Sequence, residues 1–359
     1  MKIVNLISGK DLGGPKQTFL HYSDNLRQLG HQVTSVIRPK AQLEPLLKQR
    51  KLDYLLLDYP RTRLPLLKNI AISRLRRLFT QQNADLVIVH KPIDAALARA
   101  ALPKNCQLIL ILHSYTAAGI NAADILICVS PVLAEFALKQ GYTGALDVIP
   151  NLVELNPIQP SSRPPQAIPV IATMGILRRT KGQDILLQAA AILHSRNIEF
   201  KLVIAGKGRW HKKVNKWIQQ FGLSTITHRL DWVSNQDRDS FIDAADIFCL
   251  PSRGETFGMV VIEAMARKRL VVATRCGGPQ GIIKHMENGL LCEINAESLA
   301  DALAQAMALK AADYQAMCEQ AYVTARDHYS PATVRVQIAA MLKQRVTVKD
   351  KSSRLNLPN

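Results

Sequence analysis

Short apolar runs rich in β-branched residues alternate along this chain with longer segments of helical period, a pattern that predicts parallel α/β architecture. In the first half the runs KIVNLI, HQVTSVI, LDYLLLD, ADLVIV, QLILIL, DILICV and LDVIP predict strands. They are continuous rather than alternating, as expected of strands buried on both faces. A helix is predicted from Lys16 to Leu29, where Phe19, Leu20, Tyr22 and Leu26 share a stripe and Gly30 stands as the stop. Between Pro150 and Pro169 the pattern collapses into PNLVELNPIQPSSRPPQAIP, whose closely spaced prolines suit neither helix nor ladder. Strands then resume at IPVIATMG, FKLVIAG, THRLDWV, DIFCLPS, LVVATR and LLCEI. From Ala296 the chain reads as helical to about Gln344, interrupted near Ser330 and Pro331.

The expected organisation is therefore two α/β domains, residues 1–155 and 156–329, joined by the proline-rich linker. A C-terminal helix, 330–345, is expected to cross back to the first domain, followed by a basic tail at 346–359. A length of 359 residues agrees with two cores of ordinary size. No apolar run approaches the ~20 residues of a spanning helix, and the N-terminus lacks a cationic lead and a cleavage site, so a cytoplasmic protein is expected. The six cysteines, Cys106, Cys128, Cys249, Cys276, Cys292 and Cys318, are scattered through apolar runs without C-x-x-C spacing. They read as reduced core thiols rather than as disulfide partners or zinc ligands.

A net charge of +18, shared by both halves, favours anionic partners such as nucleotide phosphates, acidic membrane surfaces or nucleic acid. Nucleic acid is disfavoured because aromatic residues make up only 5% of the chain, no recognised nucleic-acid motif appears, and the basic residues form no single stripe. One segment, Arg61 to Arg77, carries six basic residues and no acidic one, interleaved with leucine and isoleucine. Such a helix can lie on an anionic bilayer or simply pack with a solvated face.

The most specific chemistry sits in PSRGETFGMVVIEAMARKR, directly after the strand DIFCL, where Glu255 and Glu263 stand eight positions apart. A helix starting near Thr256 and Phe257 places Glu255 on the loop at its positive end and Glu263 about two turns inside. The amides of Phe257, Gly258 and Met259 would then form an anion site, with Gly258 allowing a diphosphate close to the backbone. A carboxylate accepts from two donors at once, so Glu263 suits a ribose diol and Glu255 suits sugar hydroxyls.

This segment resembles the E-x7-E signature of the retaining group 1 (family 4) glycosyltransferases. That family has the GT-B fold, an α/β architecture of two Rossmann-like domains with parallel sheets facing across a cleft. The resemblance implies that Glu255 contacts the donor sugar, that Glu263 contacts the ribose, and that the backbone of Thr256, Phe257, Gly258 and Met259 holds phosphates. Further matches run through the chain in the family's order. TMGILRRTKGQDILLQAA resembles its strand, glycine turn and Lys-Gly pair, with Gly175 at the turn and Lys181 on the donor diphosphate. The family usually carries arginine directly after that glycine; here Ile176 stands there, and Arg178 or Arg179 is the candidate replacement. KLVIAGKGRW resembles the next strand and G-x-G turn, placing Gly206 near the nucleotide, and it does not complete the dinucleotide fingerprint. In CGGPQGIIKHMENGL the family's usual acid is replaced near Gln280 and Gly281.

In the first half, GKDLGGPKQTFLHYSDNLRQLGHQV resembles the family's opening loop and helix, with Gly13 and Gly14 as a lip over the donor phosphates and Lys16 nearby. His113, ending QLILILHS, matches the family's strand-end histidine, at the edge where open sheets bind ligands. His90, ending ADLVIVH, is a second candidate of that kind. Glu255, His113 and Lys181 are thus the expected catalytic groups, and no metal is expected, since the acidic residues form no convincing metal-binding cluster. The implied reaction is sugar transfer with retention, from a nucleotide sugar to a glycan or lipid-linked acceptor, as in lipopolysaccharide or other cell-surface polysaccharide synthesis. A sugar-nucleotide epimerase or hydrolase of the same fold is the rival reading.

Overall fold

A computed structural model describes residues 1–9, 14–60, 64–155, 165–234 and 236–346. Gly13, the stretch 61–63 of the basic segment, most of the proline-rich linker and the tail from 347 lie outside the described residues. The chain divides into two compact units, Met1–Leu152 with the segment from Pro331 on, and Val153–Ser330.

In the first unit the strands are β1 (Lys2–Leu6), β2 (Gln32–Ile37), β3 (Tyr54–Leu56), β4 (Leu86–Val89), β5 (Gln107–Leu112), β6 (Ile125–Cys128) and β7 (Ala145–Val148). All pairs are parallel, in the order β3-β2-β1-β4-β5-β6-β7. Helices α1 (Gly14–Gln28), α2 (Glu44–Gln49), α3 (Pro65–Gln81), α4 (Pro92–Ala101) and α5 (Pro131–Lys139) make the connections. β4, β6 and most of β5 are fully buried, which is why they read as unbroken apolar runs.

The second unit holds β8 (Val170–Met174), β9 (Lys201–Ala205), β10 (Thr227–Leu230), β11 (Ile247–Leu250), β12 (Leu270–Thr274) and β13 (Leu290–Cys292), in the parallel order β10-β9-β8-β11-β12-β13. Its helices are α6 (Gln183–Ser195), α7 (His211–Gln220), α8 (Arg238–Asp243), α9 (Met259–Ala266), α10 (Ala296–Met307) and α11 (Ala311–Tyr329). The apolar stripe of α6, including Ile185, Leu186, Ala189 and Leu193, packs with Leu202 and Ile204 of β9 and with Leu299 and Leu303 of α10. Fully burying one such leucine contributes about 1.5–3 kcal/mol.

Each sheet reverses strand order once, between β1 and β4 and between β8 and β11. At such switch points the loops leaving adjacent strands diverge and open a crevice at the carboxyl edge. Three strands are started by one device. Asp85, Asp124 and Asp246, each just before a strand, accept from the backbone N–H of Lys2, Leu108 and Val170 on the neighbouring strand.

One detail departs from the sequence pattern: the helical run after Ala296 breaks at Ala308–Lys310 as well as at Ser330. Its last piece, α12 (Pro331–Arg345), packs on α1, with Arg335 Nε donating to Asn25 Oδ1 at 3.1 Å. All six cysteines are buried as thiols.

Candidate active site

At the carboxyl edge of the second sheet, the loop after β8 and the loop after β11 lie against each other. Gly182 makes this approach possible: its φ is +65°, and a Cβ there would lie 1.8 Å from the Pro251 carbonyl oxygen. Arg253 fastens the two loops, its guanidinium making two 2.7 Å bonds to the Asp184 carboxylate and its N–H donating to the Thr180 carbonyl. A fork-on-carboxylate pair of this kind fixes direction as well as distance. Lys181 is thereby brought to Glu255, with Nζ 2.5 Å from Oε1, and Ser252 Oγ donates to the same oxygen at 2.8 Å.

The loop after β12 holds Glu255 from the other side. Glu255 N–H donates to the Cys276 carbonyl, and Gly278 N–H donates to the Glu255 carbonyl, both at 2.9 Å. Gly278 rests on Phe257 so closely that a Cβ would lie 2.2 Å from the Phe257 carbonyl oxygen. Gln280, standing where the resemblance calls for an acid, uses its side-chain oxygen to accept from Gly277 N–H at 2.9 Å. Gly175 and Gly206 meet at the same edge, where a Cβ on Gly206 would lie 1.9 Å from the Gly175 oxygen, while the space above Gly175 is open. Arg178 and Arg179 are exposed beside this opening, and their side chains form no ion pair among the described residues.

The helix carrying Glu263 begins later than the sequence suggests. α9 starts at Met259, because Gly258 adopts φ +106° and cannot continue a helix; Thr256 and Phe257 belong to the loop. Glu263 therefore lies one turn into α9, about 6 Å along the axis from Met259 at ~1.5 Å per residue. The two glutamates have different partners. Glu263 Oε1 accepts from Arg238 Nη1 of α8 at 2.8 Å. Burial pushes the Glu263 carboxyl above its ordinary range, and the Arg238 charge works against that rise.

Arg238 and the Arg253–Asp184 clamp escaped the sequence reading. Their partners lie 25 and 69 residues away, and nothing in local spacing announces them.

The first unit carries the remaining candidates at the edge of its own sheet. Gly14 opens α1 with no atom within 4 Å of the position a Cβ would take. Lys16 is buried and donates to the Gly9 carbonyl at 2.6 Å. Buried Asp94 at the start of α4 accepts from Ser8 N–H, Ser8 Oγ and Tyr59 Oη. His113 stands immediately after β5, and His90 immediately after β4; their rings are nearly coplanar, at 11°, with His90 Nδ1 3.2 Å from His113 Nε2. Burial first, and the Lys91 ammonium second, push His113 down to about 3. A group so reluctant to take a proton is an accepting or orienting element rather than a general base.

The family model described as Glycosyl transferases group 1 matches residues 156–324, and that described as Glycosyltransferase Family 4 matches residues 12–156. The lipopolysaccharide core biosynthesis glycosyltransferase LpsE of Rhizobium meliloti (strain 1021) is 27% identical over 321 residues, 86% of this chain and 89% of the relative. Among solved structures, Alr3699/HepE of Anabaena in complex with UDP and glucose aligns with a TM-score of 0.82 at 19% identity, covering 96% of this chain and 99% of that one. The apo form of the lipopolysaccharide outer core galactosyltransferase WaaB aligns with a TM-score of 0.79, also at 19% identity, over 96% and 99% of the two chains.

Proposed function

Because the chain belongs to the group 1 glycosyl transferases and folds as two Rossmann-like domains of the GT-B class, we propose that it transfers a sugar from a nucleotide sugar to a glycan or lipid-linked acceptor with retention of configuration, without a metal. The observation that carries this reading is the 2.5 Å contact of Lys181 and Glu255 at a glycine-lined, helix-headed edge. Without donor, each neutralises the other. A diphosphate entering at Gly175 would draw the Lys181 ammonium, supplemented by Arg178 or Arg179 and by the amides at the start of α9. Glu255 is then released to accept from hydroxyls of the donor sugar, and Glu263 from the ribose diol. In the reaction the anomeric carbon–phosphate oxygen bond breaks, the acceptor oxygen bonds to that carbon on the same face, and the acceptor proton passes to the departing phosphate oxygen. Fixed positive charge at that oxygen lowers the barrier, as in other sites where donors are aimed at developing negative charge.

The lipopolysaccharide roles of LpsE and WaaB, and the UDP and glucose bound to HepE, support a lipopolysaccharide-type product and a uridine donor. A thermal-shift panel of UDP, GDP and ADP sugars tests the donor assignment, since a ligand at ~100 Kd stabilises the native state by about 2.7 kcal/mol. One sugar nucleotide should raise the melting temperature by several degrees, and its consumption with acceptor should be unchanged by EDTA. Consumption at the same rate without acceptor would instead support the epimerase or hydrolase reading.

Cytoplasmic, peripheral placement belongs to the same proposal and rests on α3. Its C-terminal half packs through Ala71, Leu75, Leu78 and Phe79, while Leu66, Leu67 and Ile70 stand exposed in its first turns, Leu66 at 81%. At ~100° per residue, Leu66, Ile70, Arg74 and Arg77 share the outward face. Aliphatic side chains entering the acyl boundary beside cations on lipid phosphates fit an anionic bilayer, at about 1 kcal/mol per basic residue. Co-sedimentation with phosphatidylglycerol-containing vesicles should fall several-fold in Leu66→Gln/Ile70→Gln and in Arg74→Glu/Arg77→Glu. Binding that persists in both, or that is equal on pure phosphatidylcholine, would reject this placement.

A further inference from the structure

Behind His113 runs a chain of buried polar groups with no role in the chemistry above. Asn5 on β1 donates through Nδ2 to the Phe19 carbonyl at 3.1 Å and to Ser23 Oγ at 2.9 Å. Ser23 Oγ in turn donates to the Phe19 carbonyl and receives a bond from Ser35 Oγ. A carbonyl oxygen only accepts, so the amide nitrogen of Asn5 must face Phe19, and Oδ1 is left to face His90 Nε2, 2.9 Å away. Two acceptors cannot bond each other, which places a proton on His90 Nε2.

Desolvation, then the neighbouring His113 and Lys16, hold His90 well below its ordinary range, so it carries one proton and its Nδ1 is bare. The nitrogen facing Nδ1 at 3.2 Å, His113 Nε2, must then be the donor. Phe19 and Tyr22 of α1 meet the His90 ring edge-on and hold its plane, and turning the ring over would break its bond to Asn5. The charged groups facing the two rings are Lys16 on α1 and Lys91 next to His90; both are cations and both favour neutral imidazoles.

We propose that Asn5 and His90 are positioning residues that fix His113 as its Nε2–H tautomer, which makes Nδ1 of that ring a hydrogen-bond acceptor and never a donor. This deepens the sugar-transfer reading and rests on it. A ring nitrogen of that kind accepts only from a group with a proton to give, and it takes no proton from the reaction itself. The order of bonds from Ser35 through Ser23, Asn5 and His90 sets that polarity from inside the first sheet, without any charged residue in the relay.

The test is long-range proton–nitrogen correlation NMR on the ligand-free, 15N-histidine-labelled full chain, whose nine histidines are assigned by single substitution. Both His90 and His113 should show the Nε2–H pattern and should not titrate between about pH 6 and 8, where an ordinary imidazole would. An Nδ1–H pattern or a charged ring for His113 in that range overturns the inference. His90→Gln, whose side-chain oxygen can still accept from His113 Nε2, should keep the tautomer and most of kcat. His90→Phe, of similar shape without a nitrogen, should show mixed tautomers and a kcat reduced about tenfold with little change in donor KM. Equal loss of kcat in the two variants overturns the positioning role. The spectra need no donor or acceptor, so a wrong tautomer counts against this inference alone, while the predicted tautomer in a chain that transfers no sugar counts against the functional reading.

Discussion

Replacing Lys181 by alanine is expected to lower kcat/KM for sugar transfer by about 10²–10³-fold, the usual cost of removing one preorganised donor aimed at developing negative charge. Lys181 is the cation that the loop after β8 delivers to Glu255, and its side chain keeps 23% of its surface open to an incoming anion. Glu255→Ala should cost a similar factor, because on the proposed mechanism the carboxylate orients the sugar as well as pairing with the Lys181 ammonium. The double variant should lose far less than the product of the two single losses, since both side chains serve one bound group. Ser252, the Cys276 carbonyl and Gly278 still hold the loop when Lys181 is gone, so the melting temperature should fall by only a few degrees. Wild-type kcat/KM in both single variants would remove these residues from the reaction.

Gly182→Ala is expected to be the most damaging substitution to stability in this region. The added methyl would meet the Pro251 carbonyl oxygen at 1.8 Å and its carbon at 2.8 Å, both backbone atoms that cannot swing away. Left-handed φ costs a non-glycine residue about 1–2 kcal/mol by itself, and relieving the overlap requires the loops after β8 and β11 to part. A loss of about 3 kcal/mol or more follows, or roughly 6–12 °C at ~2–4 °C per kcal/mol for a unit of this size. Parting those loops separates Lys181 from Glu255, so turnover should fall with stability. Gly254→Ala is the control: a Cβ there meets nothing within 4 Å, and its effect on stability should stay within about 0.5 kcal/mol. A Gly182→Ala chain melting with the wild type would contradict the close approach on which the site is built.

Much of the fold is legible because parallel strands buried on both faces write themselves as apolar runs. QLILIL and DILICV could hardly be anything else, and each strand among the described residues overlaps a run so identified, β7 beginning one residue before its own. The aspartates that start β4, β6 and β11 reinforce the pattern in sequence as Asp followed directly by the apolar run. Helix ends were harder to read. The run through Thr256 and Phe257 has helical composition, and only the left-handed backbone of Gly258, a property of the folded loop, delays α9 to Met259.

The site was legible as residue types and not as pairs. Glu255, Glu263 and Lys181 stand out by spacing and context, yet the Lys181–Glu255 contact joins positions 74 apart, and Arg238 is an ordinary surface-type residue until α8 carries it to Glu263. Two strand-end histidines on consecutive strands hinted at the His90–His113 pair. Neither the hydrogen-bond polarity nor the part played by Asn5 could be inferred before β1, β4 and β5 were known to lie side by side.

The central claim is that the loops after β8 and β11 and the start of α9 form one receptor for a sugar diphosphate. A crystal structure with the nucleotide sugar that gives the largest thermal shift tests it most directly. The account predicts a diphosphate oxygen within about 3 Å of Lys181 Nζ, phosphate against the amides from Thr256 to Met259, sugar hydroxyls on Glu255 and ribose on Glu263 with Arg238 displaced. A donor bound elsewhere, with Lys181 still closed on Glu255, would contradict it.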